Sequence, residues 1–162
     1  MTLTSTTEKM LEKAFIQDFE KINAIAREVH KQHIDYRPDI FKHVKHPISK
    51  DYFDVLLSKG SLFVCRHNKE IIGYAVLFIK ERDVEPLHKS KVLVLEQIAI
   101  NQTNRSQGIG TKMMNEILEH AKENLCTGIE LTVSPENLDA VRFYEKFGMT
   151  VKSIKYSLSF GL

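Results

Sequence analysis

Apolar positions along this chain switch between two periods, and the switches divide it into elements. Met10 to Ile16 reads as a short strand. Phe19, Ile22, Ala26 and Val29 then recur at helical spacing, and Asp18 stands where a carboxylate can accept the orphan N–H groups of a helix start. The Arg37-Pro38 pair limits that helix, because proline disfavours helical geometry in the residue before it. Ile40 to His46 follows neither period. Ser49 is the candidate cap of a short helix through Leu57 that ends near Gly60.

Two β-rich runs follow, Ser61 to Arg66 and Ile71 to Ile79, joined by the polar connector His67-Asn68-Lys69-Glu70, which suits a hairpin. Val84 to Lys91 reads as a loop with Pro86 inside it. Val92 to Ile100 is nearly all apolar and reads as a buried central strand. A glycine-containing loop covers Asn101 to Gly110, and a helix then carries Ile109, Met113, Ile117 and Ala121 on one stripe. Ile129, Leu131 and Val133 alternate with polar residues as in a strand. Ser134-Pro135 offers a cap followed by proline at the first helical position. Ala140, Val141, Tyr144 and Phe147 would line that helix's inner face, with Gly148 ending it and Met149 to Phe160 forming one or two closing strands. The order predicts an α/β (or α+β) fold: a single three-layer domain over residues 1–162, with a mixed central sheet flanked by helices.

Composition narrows the function classes. The chain has 162 residues, 43% hydrophobic and 27% charged, with a formal net charge of +2, which suits one soluble domain. Its basic residues are scattered, so no nucleic-acid surface is expected. No stretch approaches the roughly 20 apolar residues of a membrane span, and residues 1–9 lack the apolar region of a signal peptide, so no membrane partner and a cytoplasmic location are expected. Cys65 and Cys126 form no CxxC pair and read as reduced, half-buried thiols.

The segment richest in chemistry is Arg105-Ser106-Gln107-Gly108-Ile109-Gly110-Thr111, between the buried strand and an amphipathic helix. Its glycines allow a sharp turn and close backbone approach to a ligand. The helix start offers free N–H groups and the positive end of a dipole, a combination suited to a pyrophosphate. Arg105 adds a positive charge at the start of the loop. Neither a GxGxxG nor a Walker loop is present.

Arg105-x-x-Gly108-x-Gly110 resembles the acetyl-CoA signature of the GNAT N-acetyltransferase superfamily. A second block, Asn137-x-x-Ala140-x-x-Phe143-Tyr144-Glu145-Lys146-Phe147-Gly148-Met149, resembles the family's other segment, and the Leu95 to Ile100 strand precedes the loop in the family manner. The resemblance is close over about residues 92 to 150. It implies an acetyl-CoA cosubstrate and no metal. It further implies that the backbone of Ile98, Ala99 and Ile100 pairs with the pantetheine arm, that Ser106 to Thr111 cradle the pyrophosphate, that Asn137 reaches the cofactor arm, and that Tyr144 points its hydroxyl at the thioester sulfur. The acceptor would be an amine-bearing small molecule or peptide, and family members often form homodimers. A non-catalytic acyl-CoA-binding module on the same fold is the alternative reading.

Acetyl transfer to an amine needs a base for the ammonium, a donor for the oxyanion and an acid for the leaving thiolate. A backbone N–H near Ile98 is the oxyanion candidate and Tyr144 the acid, against the competing reading of Tyr144 as core. Glu96 is the base candidate: a carboxylate in an apolar strand, where burial would raise its pKa. The competing reading is an edge-facing or bulge-placed glutamate that reaches solvent. Glu130 is a weaker candidate, out of phase with the position that some ribosomal-protein acetyltransferases use, which is Thr132 here. His30, His33, Asp35, Tyr36 and Arg37 border the acceptor site in the family fold. The His30/His33 and His43/His46 pairs lack the further ligands of a metal site.

Overall fold

The computed structural model of the chain describes residues 9–161. The chain divides between Thr132 and Val133 into two compact units. In the first, strands β1 (Leu11–Lys13), β2 (Leu62–His67), β3 (Glu70–Arg82), β4 (Ser90–Ile100) and β5 (Gly128–Leu131) form one sheet in that order. β1 to β4 are antiparallel to their neighbours, while β4–β5 is parallel, so the sheet is mixed as the sequence predicts. A parallel pair needs a crossover, and α3 (Ile109–Glu123) supplies it. The middle strand is β3, not the 92–100 run; β3 is buried continuously from Ile71 to Leu77. A nearly all-apolar strand reports cover on both faces and says little about neighbours along its edges.

Alternation along β2 sorts its residues between two cores. Leu62 and Val64 join Ile22, Ile25, Phe53 and Leu56, which come from α1 (Phe19–Tyr36) and α2 (Lys50–Ser58). Phe63 instead meets His120 of α3, its ring centroid 5.3 Å from the imidazole. The first unit is thus helix pair, sheet and helix in three layers. Gly73 permits the tightest approach in the sheet, since a Cβ there would lie 2.6 Å from the Ala99 carbonyl oxygen. The β2–β3 hairpin turns through Asn68 and Lys69, both at positive φ, the backbone twist that two-residue hairpins favour.

Several elements differ from the sequence reading. The β3–β4 ladder continues through Lys80–Arg82 and Ser90–Lys91, because backbone pairing outlasts the apolar pattern, and the loop shrinks to residues 83–89. Asp18 precedes α1 but makes no cap bond. It already sits in a 3-10 turn at Ile16–Asp18, and its carboxylate accepts the Phe15 N–H at 2.8 Å and Arg66 Nη2 at 3.1 Å. Cys65 is buried rather than half-buried, and burial, reinforced by the Glu116 charge, pushes its thiol to about 11; Cys126 is partly exposed, and both are free.

In the second unit, α4 (Leu138–Lys146) starts later than the Ser134-Pro135 pair suggests, because Asn137 provides the cap by accepting the Ala140 N–H at 3.2 Å. The helix ends at Lys146, and Gly148, whose φ is +80°, follows its Phe147 cap. Residues 149–161 form no strand, against the expected one or two, although Ile154, Tyr156, Leu158 and Phe160 alternate. A strand exists only where another edge completes its hydrogen bonds, and the described residues of the second unit contain none.

One buried polar contact fixes the helix pair. Asn23 of α1 is fully buried; its Oδ1 accepts the Ile48 N–H and its Nδ2 donates to the Ile48 carbonyl, both at 3.0 Å. Asn23→Ala strands both Ile48 groups, and should lower the unfolding free energy by about 3 kcal/mol, read as a shifted urea midpoint at constant slope.

Candidate functional site

The site grows from a mismatch in strand length. β5 pairs with β4 only over Val92–Leu95, opposite Gly128–Leu131. β4 runs five residues further, to Ile100, held on its other side by Gly73–Val76 of β3. Ile98, Ala99 and Ile100 therefore offer one unpaired backbone edge among the described residues, the type of edge to which an extended amide chain can add.

The register of β3 and β4 shifts at the point where this edge begins. Val76 pairs with Gln97 and Leu77 with Leu95, so Glu96 is the extra residue of a β-bulge. Gln97 Oε1 accepts from Tyr74 Oη at 2.9 Å, and Glu96 Oε1 accepts from Tyr52 Oη of α2 at 2.6 Å. Both successive side chains thus reach tyrosines packed with the α1/α2 core, which strict alternation forbids. Glu96 is exposed at the bulge, not buried in the strand as the sequence suggested. Burial, and then the hydrogen bond and charge of Glu96, raise the Tyr52 hydroxyl far above its usual range, so it stays a donor.

The loop after β4 is braced at its base. Asn101 Oδ1 accepts the Asn104 N–H at 3.2 Å, and Arg105 Nε donates to the Ile100 carbonyl at 3.0 Å. Glu28 of α1 accepts the Gln102 N–H at 2.6 Å and lies 3.7 Å from Arg105 Nη2. Arg105 therefore acts first as a clamp between strand end and loop, its charge shared with Glu28. Ser106 and Gly108 both adopt left-handed φ, +61° and +76°, and Gln107 Nε2 donates to the Thr103 carbonyl at 3.2 Å. Gly108 is the N-cap of α3, and the first helical bond runs from the Lys112 N–H to its carbonyl. The N–H groups of Ile109, Gly110 and Thr111 remain as the helix's orphan donors. A Cβ at Gly108 would meet nothing within 4 Å, so glycine serves the backbone there and keeps the space above it clear.

Asn137 and Tyr144 lie in the second unit. The Asn137 side-chain oxygen is committed to the α4 cap, which leaves its amide N–H groups for a ligand. Tyr144 is partly buried, its ring 5.4 Å from that of Phe143, and burial raises its hydroxyl above the usual value.

The end of α1 and the segment after it form a locally knit patch. His30 Nε2 lies 2.7 Å from the Lys42 carbonyl, and the Phe41 ring meets His30 edge-on at 6.0 Å and His33 at a tilt at 5.2 Å. Burial and the neighbouring His30 lower the pKa of His33. Arg37 grips Asp39 through two hydrogen bonds of 2.9 and 2.7 Å. Glu130 is held by both terminal nitrogens of Arg82, at 3.0 and 2.8 Å, which gives it a structural role. Among the described residues no group of three or more His, Cys, Asp or Glu is placed to hold a metal ion, and no helix is long and apolar enough to cross a membrane.

Nothing local in the sequence marks Tyr52 or Glu28. Each stands on a helix far from the signature loop, and only the fold brings it to the strand end.

Comparison with known proteins is decisive for the family. The model of the acetyltransferase (GNAT) family matches residues 10–149. The chain belongs to that family. It is 27% identical to an uncharacterized N-acetyltransferase of Methanocaldococcus jannaschii over 72% of this chain and 51% of that protein. It is 28% identical to an aminoglycoside N(6')-acetyltransferase type 1 of Klebsiella pneumoniae over 62% of this chain and 54% of that one. The chain thus spans about half the length of these curated relatives. A tetramutant of a Bacillus halodurans protein shares the GNAT fold at a TM-score of 0.87, with 24% identity over 93% of this chain and 99% of that one. The mixed sheet and flanking helices match the family architecture expected from the two sequence blocks.

The brace at Glu28 can be tested without a ligand. Glu28→Ala should speed amide hydrogen exchange at Gln102 by about tenfold while leaving the core of β3 protected, as read by mass spectrometry or NMR.

Proposed function

We propose that the chain is an N-acetyltransferase that takes its acetyl group from acetyl-CoA and passes it to a primary amine of a small molecule or peptide. The observation that carries this reading is the continuity of the unpaired β4 edge with the Gly108 turn and the orphan amides of α3. A pantetheine arm is an extended chain of amides that ends in a pyrophosphate, and the two features suit its two parts in order. The aminoglycoside relative supports an amine acceptor.

Ile98, Ala99 and Ile100 would hold the arm, and the backbone from Ser106 to Thr111, with Arg105 bracing the loop, would hold the phosphates. Asn137 would add its amide N–H groups. The bound donor supplies an activated acyl carbonyl and a thiol leaving group. A backbone N–H near Ile98 would donate to the carbonyl oxygen as negative charge builds on it. Glu96 is the base for the acceptor, by way of exposure and orientation instead of burial. Tyr144 is the acid, because a hydroxyl held protonated by burial can give its proton to the leaving sulfur.

Calorimetry with acetyl-CoA tests the donor site, and release of free thiol across a panel of polyamines, aminoglycosides, amino acids and peptides tests turnover. Binding without turnover on every amine would favour a non-catalytic acyl-CoA module. Gly108→Glu should abolish acetyl-CoA uptake, because it strains a left-handed position and sets a carboxylate against the phosphates; unchanged affinity would reject the cradle. Tyr144→Phe should lower kcat about a hundredfold with little change in acetyl-CoA affinity. Equal loss of both would remove Tyr144 from the acid role.

A further inference from the structure

The Tyr52–Glu96 contact carries more than its distance suggests. A general base acts only when it lies within hydrogen-bond reach of the proton it takes. An exposed glutamate on a strand turns freely about its side-chain bonds and spends little time in any one direction. Glu96 is exposed and displaced by a bulge, the least constrained setting in β4, yet one of its oxygens is fixed by a charge-assisted bond of 2.6 Å.

The donor end of that bond is rigid. Tyr52 occupies the first turn of α2, where its backbone N–H donates to Ser49 Oγ at 3.3 Å. Phe53, the next residue, is fully buried, and the Tyr52 ring packs partly against the same core. Ile48, just before the cap, is pinned to α1 by Asn23. An unbroken run of fixed groups thus leads from α1 through Asn23, Ile48 and Ser49 to the Tyr52 hydroxyl.

The charges around the carboxylate leave it available. Among the described residues no cation pairs with Glu96, and on α2 Lys50 is engaged by Asp54. Across the bulge, β3 presents the apolar Val76 and Leu77. Among the described residues the Tyr52 hydroxyl is the one polar group that holds Glu96, and it takes Oε1 and leaves Oε2 without a partner there.

We propose that Tyr52 is a positioning residue: it anchors one oxygen of Glu96 so that the other is presented at the start of the unpaired β4 edge to take the proton of the acceptor amine. The role rests on the acetyl-transfer reading above. The acceptor's ammonium gives a proton to the free oxygen of Glu96. The nitrogen lone pair forms the C–N bond to the thioester carbonyl carbon, the C–S bond breaks with its electron pair going to sulfur, and the excess proton left on the nitrogen passes to the thiolate, giving the neutral amide and the free thiol. Glu96 returns its proton to water, to which its exposure gives direct access.

Two measurements test the role. In Tyr52→Phe, kcat should fall about tenfold or more, as expected for the loss of a hydrogen bond to a charged group, while KM for acetyl-CoA and the melting temperature stay near wild type. Unchanged kcat overturns the proposal, and so does a fall matched by loss of acetyl-CoA affinity and of stability, which marks a purely structural residue. Independently of activity, ultraviolet titration should show one tyrosine ionising at lower pH in Glu96→Gln than in wild type, and that signal should be missing in Tyr52→Phe. A titration unchanged by Glu96→Gln overturns the pairing. A wild-type protein that acetylates no amine overturns the acetyl-transfer reading and the role with it. Normal wild-type turnover together with full activity of Tyr52→Phe overturns the role alone.

Discussion

The constraint on which the rest depends is that β4 outruns its parallel neighbour. A strand leaves half of its backbone polar groups unsatisfied wherever one side lacks a partner, and buried or half-buried groups of that kind demand one. Past Leu95, β4 has β3 on one side only. Everything around it supports that exposed ladder. The β3 register holds it from behind, the Arg105 guanidinium closes its end at the Ile100 carbonyl, and the helix that follows starts with three donors of its own. Length mismatch between two strands, more than any single side chain, makes the place where a ligand's backbone-like arm would be at home.

The bulge beside it serves a separate purpose. Regular alternation would send Glu96 and Gln97 to opposite faces. One extra residue brings both to tyrosines packed with the same helix pair. Both side chains thereby reach the α1/α2 side, while Met113, Met114 and Ile117 of α3 are fully buried. The register shift achieves this without breaking the β3–β4 ladder.

Much of this was legible in the sequence. Helical spacing marked α1 and α3, Ser49 marked the start of α2, and the glycine loop lay where a strand met a helix. These features depend on local periodicity and backbone sterics, which a sequence displays directly. The departures share a different cause. Asp18 was drawn from its cap by Arg66, which follows it by 48 residues. Asn137 took the capping role offered by Ser134. Ile154, Tyr156, Leu158 and Phe160 alternate like a strand, yet alternation cannot supply the partner edge. Tyr52 and Glu28 carry no local mark, because their relevance comes from helices folded against β4. The two glutamates were likewise separable only by their partners: Glu130 is locked by Arg82, and Glu96 is turned to solvent with a tyrosine at its side.

The paired hydrogen bonds between Asn23 and the Ile48 backbone have a consequence for how such a chain can diversify. They anchor α2 from a point just ahead of its cap, so the stretch between Arg37 and Pro47 hangs between two fixed posts. Length or composition can drift there without disturbing the strand end. One frame could thus carry a rewritten surface segment while the β4 end stands still.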